Sequence, residues 1–209
     1  QMKELMQHGA IEALTLRLTD HMLRVRVAAV AAIRGMVSAG GGPVCSTILS
    51  SGTVGMLVAQ LQDSGPAGTA ATVAQALENR DAMLDQLLVQ VLLTLTMCCQ
   101  SSGEAVEALT ERPVLEACLG FLRLPDGGTA PVRAPLIEMM TLLLTLVEDN
   151  ATAVAYLTEP AAAAPALIFV HLGQAPGAPP LLQALCASTV MSLVQQHPSI
   201  DPAAPLSQG

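Results

Sequence analysis

The chain has very few aromatic residues and few charged ones. Phe121, Tyr156 and Phe169 are the only aromatic side chains among 209 residues, and charged residues make up 12%. Yet 52% of the residues are hydrophobic, and the mean hydropathy is +0.53. A β-sandwich or β-barrel is usually rich in aromatic and β-branched residues. The composition therefore argues against both and favours Ala- and Leu-rich helices that pack closely on one another.

Recognisable metal and redox motifs are also lacking. The five cysteines form no CxxC motif and no Cys/His pair at metal-ligand spacing. They are Cys45, Cys98, Cys99, Cys118 and Cys186. Because most of them lie among apolar residues, we predict small core residues in a reducing compartment, with neither zinc nor a disulfide. The adjacent Cys98 and Cys99 leave a redox site as the alternative, although no basic residue near them in sequence would activate a thiol.

No catalytic pattern is present, so we predict that the protein is not an enzyme and uses no cofactor. The histidines are scattered, without an acid or nucleophile at a recognisable spacing. Glu148 and Asp149 are adjacent, so their carboxylates diverge instead of forming an acid/base pair. Residues 40–42 are three glycines, but they follow a predicted helix and lack the Lys-Ser/Thr of a phosphate-binding loop.

No apolar stretch of the sequence is a clear membrane-spanning segment. The uncharged run at residues 161–200 is divided by five prolines. None of its apolar pieces reaches the roughly 20 residues needed to cross hydrocarbon. Residues 1–8 lack the apolar core of a signal peptide. We therefore predict no membrane partner.

A helical pattern begins at Gly9 and begins again at Gly52. A short amphipathic helix follows Gly9, a longer helix is predicted at residues 23–38, and a third at residues 44–49. The glycines at 40–42 end the long helix, because glycine adopts the left-handed cap conformation without a side-chain clash. The 43 residues between Gly9 and Gly52 lie within the period of about 40–47 expected of armadillo and HEAT units.

The pattern recurs, so we predict an all-α fold, an armadillo/HEAT-like right-handed α-solenoid of about four repeats. The repeat domain covers residues 1–197, and residues 198–209 form a disordered tail. The predicted repeats are residues 9–51, 52–111 with an insertion at 63–82, 112–159 and 160–197. Three further long helices are predicted at residues 84–99, 132–147 and 180–196, and Asn150 is placed to cap the short helix at residues 150–157.

Residues 25–36, VRVAAVAAIRGM, are similar to the core pattern of the armadillo repeat. The continuation at residues 38–45, SAGGGPVC, resembles the symportin family, whose first repeat has a helix ending in Ser-x-x-Gly-Gly followed by Val-Cys. Residues 147–150, VEDN, resemble the Thr-Glu-Asp-Asn of that family. The resemblance covers about residues 9–157 and would place the chain in the amino-terminal armadillo part of the family.

The resemblance implies an adaptor that works in the cytoplasm and the nucleus. Symportins escort the two large-subunit ribosomal proteins that bind 5S ribosomal RNA into the nucleus, with an importin as carrier. The family's basic import signal and its long HEAT-type second half are not found in the chain, which also begins without Met. We therefore expect a fragment, with an importin bound through flanks outside it. The alternative function is a general armadillo scaffold, such as an Hsp70 cofactor of the armadillo type, that binds a folded domain.

The long helices of stacked repeats line a continuous concave face. Aligning the four predicted long helices with the Trp and Asn ladders of importin-α gives two rows of residues, with Glu138 one turn ahead in the third helix. These nine groove residues are Ala31, Gly35, Gln90, Thr94, Glu138, Thr141, Thr145, Ser188 and Ser192. Because no aromatic residue is among them, we expect an extended segment to bind by a mechanism unlike that of importin-α. Small residues at these positions are equally compatible with tight helix packing alone.

The negative charge is concentrated in the middle of the chain. Residues 78–159 contain twelve acidic residues and four arginines, whereas the whole chain has a net charge of −8. An acidic surface repels nucleic acid phosphates and attracts basic proteins such as ribosomal proteins. We therefore expect a basic ribosomal protein as partner and no direct nucleic acid binding. The alternative is a solvated face that keeps an apolar chain soluble.

Overall fold

The computed structural model describes residues 2–63, 77–122, 134–148, 150–160, 162, 164–165, 167–168 and 177–196. These residues are mostly helical, and no strand occurs among them. The all-α prediction is therefore confirmed. The predicted tail at 198–209 and most of the predicted insertion, residues 64–76, lie outside the described residues.

The chain divides into two compact units, Gln1–Leu109 and Thr110–Gly209. The division falls close to the predicted start of the third repeat at residue 112. The described helices of the first unit are α1 (Met2–Gln7), α2 (Ala10–Arg17), α3 (Leu23–Gly40), α4 (Gly42–Ser50), α5 (Thr53–Asp63), α6 (Leu77–Ser101) and α7 (Gly103–Leu109). Those of the second unit are α8 (Arg112–Leu122), α9 (Ala134–Val147), α10 (Ala151–Leu157) and α11 (Pro180–Gln196).

Helices three places apart along the first unit pack against one another. Helix α2 contacts α5, α3 contacts α6 along most of its length, and α4 contacts α7. A hydrogen bond between the hydroxyls of Thr15 and Thr53, 2.6 Å long, joins α2 to α5. The core between the helices is aliphatic and includes Val30, Ile33, Ile48, Leu57, Leu61, Leu88, Leu92 and Leu95. Each helix from α2 to α4 therefore contacts the helix three places later in the chain.

Glycines form the boundaries of these helices. Gly9 and Gly52 precede α2 and α5 with φ of 70° and 74°, a left-handed backbone conformation that favours glycine. Helix α3 ends at Gly40, and the backbone N–H of Gly41 donates to the carbonyl of Val37 at 2.8 Å. The predicted stop at residues 40–42 is confirmed.

Two helical segments extend beyond the prediction. Helix α1 was not predicted, and α6 begins at Leu77 instead of residue 84, inside the predicted insertion. Residues 77–82 read LENRDA, in which Leu, Glu, Arg and Ala favour helix while supplying no apolar periodicity. The predicted start was therefore wrong, because it rested on hydrophobic spacing and a polar first turn does not alter that spacing.

In the second unit α9 packs along α11, and α10 contacts α8, α9 and α11. The core contains Leu115, Leu119, Met139, Met140, Leu143, Leu146, Leu157, Leu182, Cys186 and Leu193. The side-chain amide of Gln196, at the end of α11, donates to the carbonyl of Val147 at 2.8 Å, which satisfies a backbone group at the end of α9. Asn150 caps α10 as predicted, since its Oδ1 accepts from the backbone N–H of Ala153 at 3.1 Å.

Candidate functional site

The long helices of the first unit each have a side with exposed and half-buried residues, here called the uncovered face. Helices α2 and α5 contact each other, and each packs on its own long helix, α3 or α6. On α3 this face carries Arg24, Ala28, Ala31, Gly35 and Ala39.

Ala31 and Gly35 lie on that face of α3. Gly35 is exposed and Ala31 half-buried. A Cβ placed on Gly35 would meet no atom within 4 Å. The centre of α3 thus offers a flat strip of backbone and methyl groups, with room for another chain to approach closely.

On α6 one side carries exposed and half-buried residues at spacings of three and four. Met83, Gln86 and Gln100 are exposed, and Gln90, Leu93 and Met97 are half-buried. Gln90 lies on this face, half-buried, and its Oε1 is buried without a hydrogen-bond partner among the described residues. The face is thus made of long, flexible side chains.

Thr94 is not on the uncovered face, so its prediction as a surface residue is wrong. Its side chain is 0% exposed. Its hydroxyl donates to the carbonyl of Gln90 at 2.7 Å. The two residues 93 and 94 are separated by about 100° around the helix, so Leu93 is half-buried while Thr94 lies fully in the core. The alignment of the predicted long helices could not show how α6 is rotated about its own axis.

The second unit carries the other predicted positions on α9 and α11. Glu138, Thr141 and Thr145 are half-buried along one side of α9, while Ser188 is exposed and Ser192 half-buried on α11. The hydroxyl of Thr141 donates to the carbonyl of Ile137, and that of Thr145 to the carbonyl of Thr141, both at 2.9 Å. These two hydroxyls therefore offer a ligand an acceptor rather than a free donor.

Glu138 gives this side of α9 a negative charge in a partly desolvated position. Burial raises the pKa of the Glu138 carboxyl above its ordinary value. No basic residue occurs within Ala134–Val147, and the exposed Glu148 follows directly. A cation is thus the ligand charge that this helix favours.

Three cysteines of the first unit lie together in its core, although the sequence separates them. Cys45 on α4 is close to Cys98 and Cys99 on α6, and all three are buried. Burial, and then the nearby Cys45 thiol, raises the pKa of Cys98 and takes that of Cys99 to about 12. All five cysteines lie among the described residues, and none of them forms a disulfide. Neutral thiols of this kind are poor nucleophiles.

Among the residues that the structure describes, no three His, Cys, Asp or Glu side chains are arranged to hold a metal ion. Residues Ala82–Ser101 of α6 are long and apolar enough, by length and composition, to cross a membrane, and half of that segment is buried inside the protein. The pair Gly42–Ser50 and Thr53–Gln62 passes the same test if it is taken as one span bent by 74°. Core helices of globular proteins also satisfy this criterion.

Comparison of the chain with protein-family models and with curated proteins gave no match.

Proposed function

We propose that the protein is a binding adaptor, an armadillo/HEAT-like solenoid of about four repeats that holds an extended basic segment of another protein. The contacts of α2 with α5, α3 with α6 and α4 with α7 support the repeat arrangement. The observation that carries the binding role is the open strip around Gly35, where nothing lies within 4 Å of an added Cβ. Small side chains at such a strip let a bound backbone approach closely.

The charges favour a basic client at the second unit. Glu138 lies partly desolvated on α9, and pairing it with a cation would offset part of the cost of its burial. In the first unit the uncovered face of α3 carries Arg24 and no acid, so that half favours backbone and apolar contacts. The resemblance to symportins names the class of client, a basic ribosomal protein of the 5S particle. The same resemblance motivates the proposals of nuclear import, large-subunit assembly and a cytoplasmic and nuclear location.

A second candidate is a scaffold or Hsp70 cofactor of the armadillo type that binds a folded domain. The observation in its favour is that three threonine hydroxyls are already hydrogen-bonded within their own helices. Those of Thr94, Thr141 and Thr145 already donate to carbonyls of their own helices. Few side-chain donors therefore remain for the backbone of an extended client, while exposed apolar side chains such as Met83 remain available on α6.

The test places bulky, positively charged side chains on the open strip of α3 and on the side of α9 that carries Glu138. The variants are Gly35→Arg and Thr145→Arg, made singly and together, and the control is Gly55→Arg on α5, an exposed helical glycine with nothing within 4 Å of its added Cβ. Arginine is a better helix former than glycine, so Gly35→Arg and Gly55→Arg should leave helicity intact by circular dichroism. We expect the double variant to weaken binding of the 5S-particle ribosomal proteins at least tenfold in calorimetry, with Gly55→Arg close to the parent.

Equal affinities of the double variant and the Gly55→Arg control would contradict the groove. The second candidate predicts a different pattern, in which a purified Hsp70 binds and a peptide covering the client's basic segment does not. Binding of the peptide alone would support the extended mode.

A further inference from the structure

A surface pocket of the second unit lies outside the groove residues, between the start of α8 and α10. Its volume is about 490 Å³. The residues that line it are Thr110, Arg112, Ala151, Thr152, Ala155, Tyr156 and Glu159. Tyr156 is the only tyrosine in the chain. An aromatic ring and a carboxylate at an open pocket are features that recognise side-chain cations.

The pocket already holds one cation, the chain's own Arg112. Its guanidinium carbon lies 5.2 Å from the centroid of the Tyr156 ring, a cation–π distance. Its Nε donates to Oε1 of Glu116 at 3.0 Å, and its Nη2 lies 4.0 Å from Oε2 of Glu159. The ring and the two carboxylates thus bind a guanidinium from three directions.

Arg112 is held there only loosely. The Arg112 side chain is 64% exposed, and those of Glu116 and Glu159 are 55% and 47% exposed. Exposed ion pairs and cation–π contacts are individually weak because water competes for both partners. A second cation at high local concentration can therefore exchange with Arg112 without disturbing the core.

The net negative charge of Glu116, Glu159 and Arg112 together favours the binding of a cation over that of an anion. Glu116 and Glu159 outnumber Arg112 two to one. The hydrogen bond to Glu116, followed by the charge of Glu159, raises the pKa of Arg112, so it stays charged. Burial and then the negative Glu116 raise the pKa of Tyr156, so its ring stays neutral at pH 7. An incoming carboxylate or phosphate would meet two carboxylates, whereas an incoming guanidinium would meet the partners that Arg112 has now.

We propose that this pocket binds an arginine side chain of a basic partner segment, which displaces Arg112 from the Tyr156 ring and from Glu159. Arg112 occupies the site in the free protein and acts as an internal competitor. The identity of the partner as the adaptor's client rests on the proposed function, whereas the preference for a guanidinium rests on the pocket alone. Released Arg112 points into solvent, where its charge opposes further cations and limits the site to one side chain.

The probe is an acetylated and amidated decapeptide of alternating glycine and arginine, titrated into the full chain with fluorescence anisotropy as readout. Arg112→Ala and Arg112→Gln remove the competitor, so we expect affinity to rise about two- to fivefold, the factor that an exposed cation–π contact is worth. The matched control is Arg17→Ala, which removes an arginine with 65% side-chain exposure that lies 3.9 Å from Asp20 in the first unit. That control measures the effect of losing one positive charge elsewhere.

Substitution of Tyr156 provides a second test, in which the expected change in peptide affinity has the opposite sign. Tyr156→Leu removes the π face while keeping an apolar side chain, and should weaken the peptide about two- to fivefold. Tyr156→Phe keeps the face and should bind like the parent. The proposal is overturned if Arg112→Ala changes affinity no more than Arg17→Ala, or if Tyr156→Leu binds like Tyr156→Phe.

The groove variants, run in the same titration, separate this proposal from the proposed function. If Gly35→Arg with Thr145→Arg leaves peptide affinity unchanged while the Arg112 and Tyr156 variants alter it as expected, the pocket is supported and the groove is contradicted. The converse result contradicts the pocket and supports the groove.

Discussion

At the scale of single residues, several threonine hydroxyls of the described helices are hydrogen-bonded within their own helix. The hydroxyls of Thr94, Thr141 and Thr145 each donate to the carbonyl four residues earlier. Such bonds let a hydroxyl lie against an apolar core without an unsatisfied donor. A row of threonines along a helix is therefore ambiguous in sequence, because the same residues suit a recognition surface and a tightly packed helix.

The buried thiols predict a dependence of stability on alkaline pH. Burial raises the pKa of Cys186 to about 11, above the ordinary value of 9.0. Below pH 9 the thiol is protonated in both the folded and the unfolded chain, and its contribution to stability is fully present. As the pH rises from 9 towards 11 the unfolded chain loses this proton first, so stability falls.

Urea unfolding at pH 8.0, 9.5 and 10.5 measures this loss. We expect the parent to lose about 2 kcal/mol more than Cys186→Ala between pH 8.0 and 10.5. Comparing the pH slopes removes the packing cost of the substitution itself. Parallel slopes for the two proteins would show that Cys186 does not titrate in this window.

At the scale of elements, short helices depend on their ends. Helix α10 has seven residues, and it supplies Tyr156 to the pocket and core residues to the second unit. Seven residues are too few for a stable isolated helix. Its Asn150 cap and its packing on α8, α9 and α11 therefore hold it together.

We predict that Asn150→Ala lowers the free energy of unfolding by about 1 kcal/mol, the usual cost of losing an N-cap. Asn150→Asp keeps an acceptor for the N–H of Ala153 and adds a charge that favours the helix N-terminus, so it should retain the parent stability. Thermal and urea unfolding of the three proteins measure both effects. A loss in Asn150→Asp as large as that in Asn150→Ala would show that the cap does not stabilise α10.

At the scale of the whole molecule, a net charge of −8 on a chain with only 12% charged residues makes the electrostatics one-sided. Long-range attraction of a basic partner is then expected to contribute to affinity and to association rate. Exposed carboxylates such as Glu148 and Glu159 are screened by salt because they face solvent.

The Gly-Arg decapeptide should therefore bind the full chain more weakly as salt increases. Between 0.05 and 0.5 M NaCl we expect affinity to fall about tenfold or more, since the Debye length shrinks from roughly 14 to 4 Å. A decapeptide with glutamine in place of arginine is the matched control and should show little binding at either salt concentration. Salt-independent binding of the arginine peptide would indicate apolar contacts as the source of affinity.

What the sequence determined by itself is the local structure. Three local features could be predicted, because each depends on the conformational preference of a few adjacent residues. They are the glycines at positions 9 and 52, 43 residues apart, the glycine stop at 40–42 and the Asn150 cap. Hydrophobic spacing located the long helices for the same reason, and failed only at the polar start of α6.

Only the tertiary structure decided which side of each helix is covered and which distant residues meet. Thr94 and Leu93 are neighbours in sequence, yet packing fully buries Thr94 and leaves Leu93 half-buried. Arg112 lies 44 positions before Tyr156 and 47 before Glu159, and docking of α8 and α10 brings the three together. A helix sequence specifies its apolar side only to within a broad angle, so rotation and docking depend on the neighbouring helices and not on the local sequence alone.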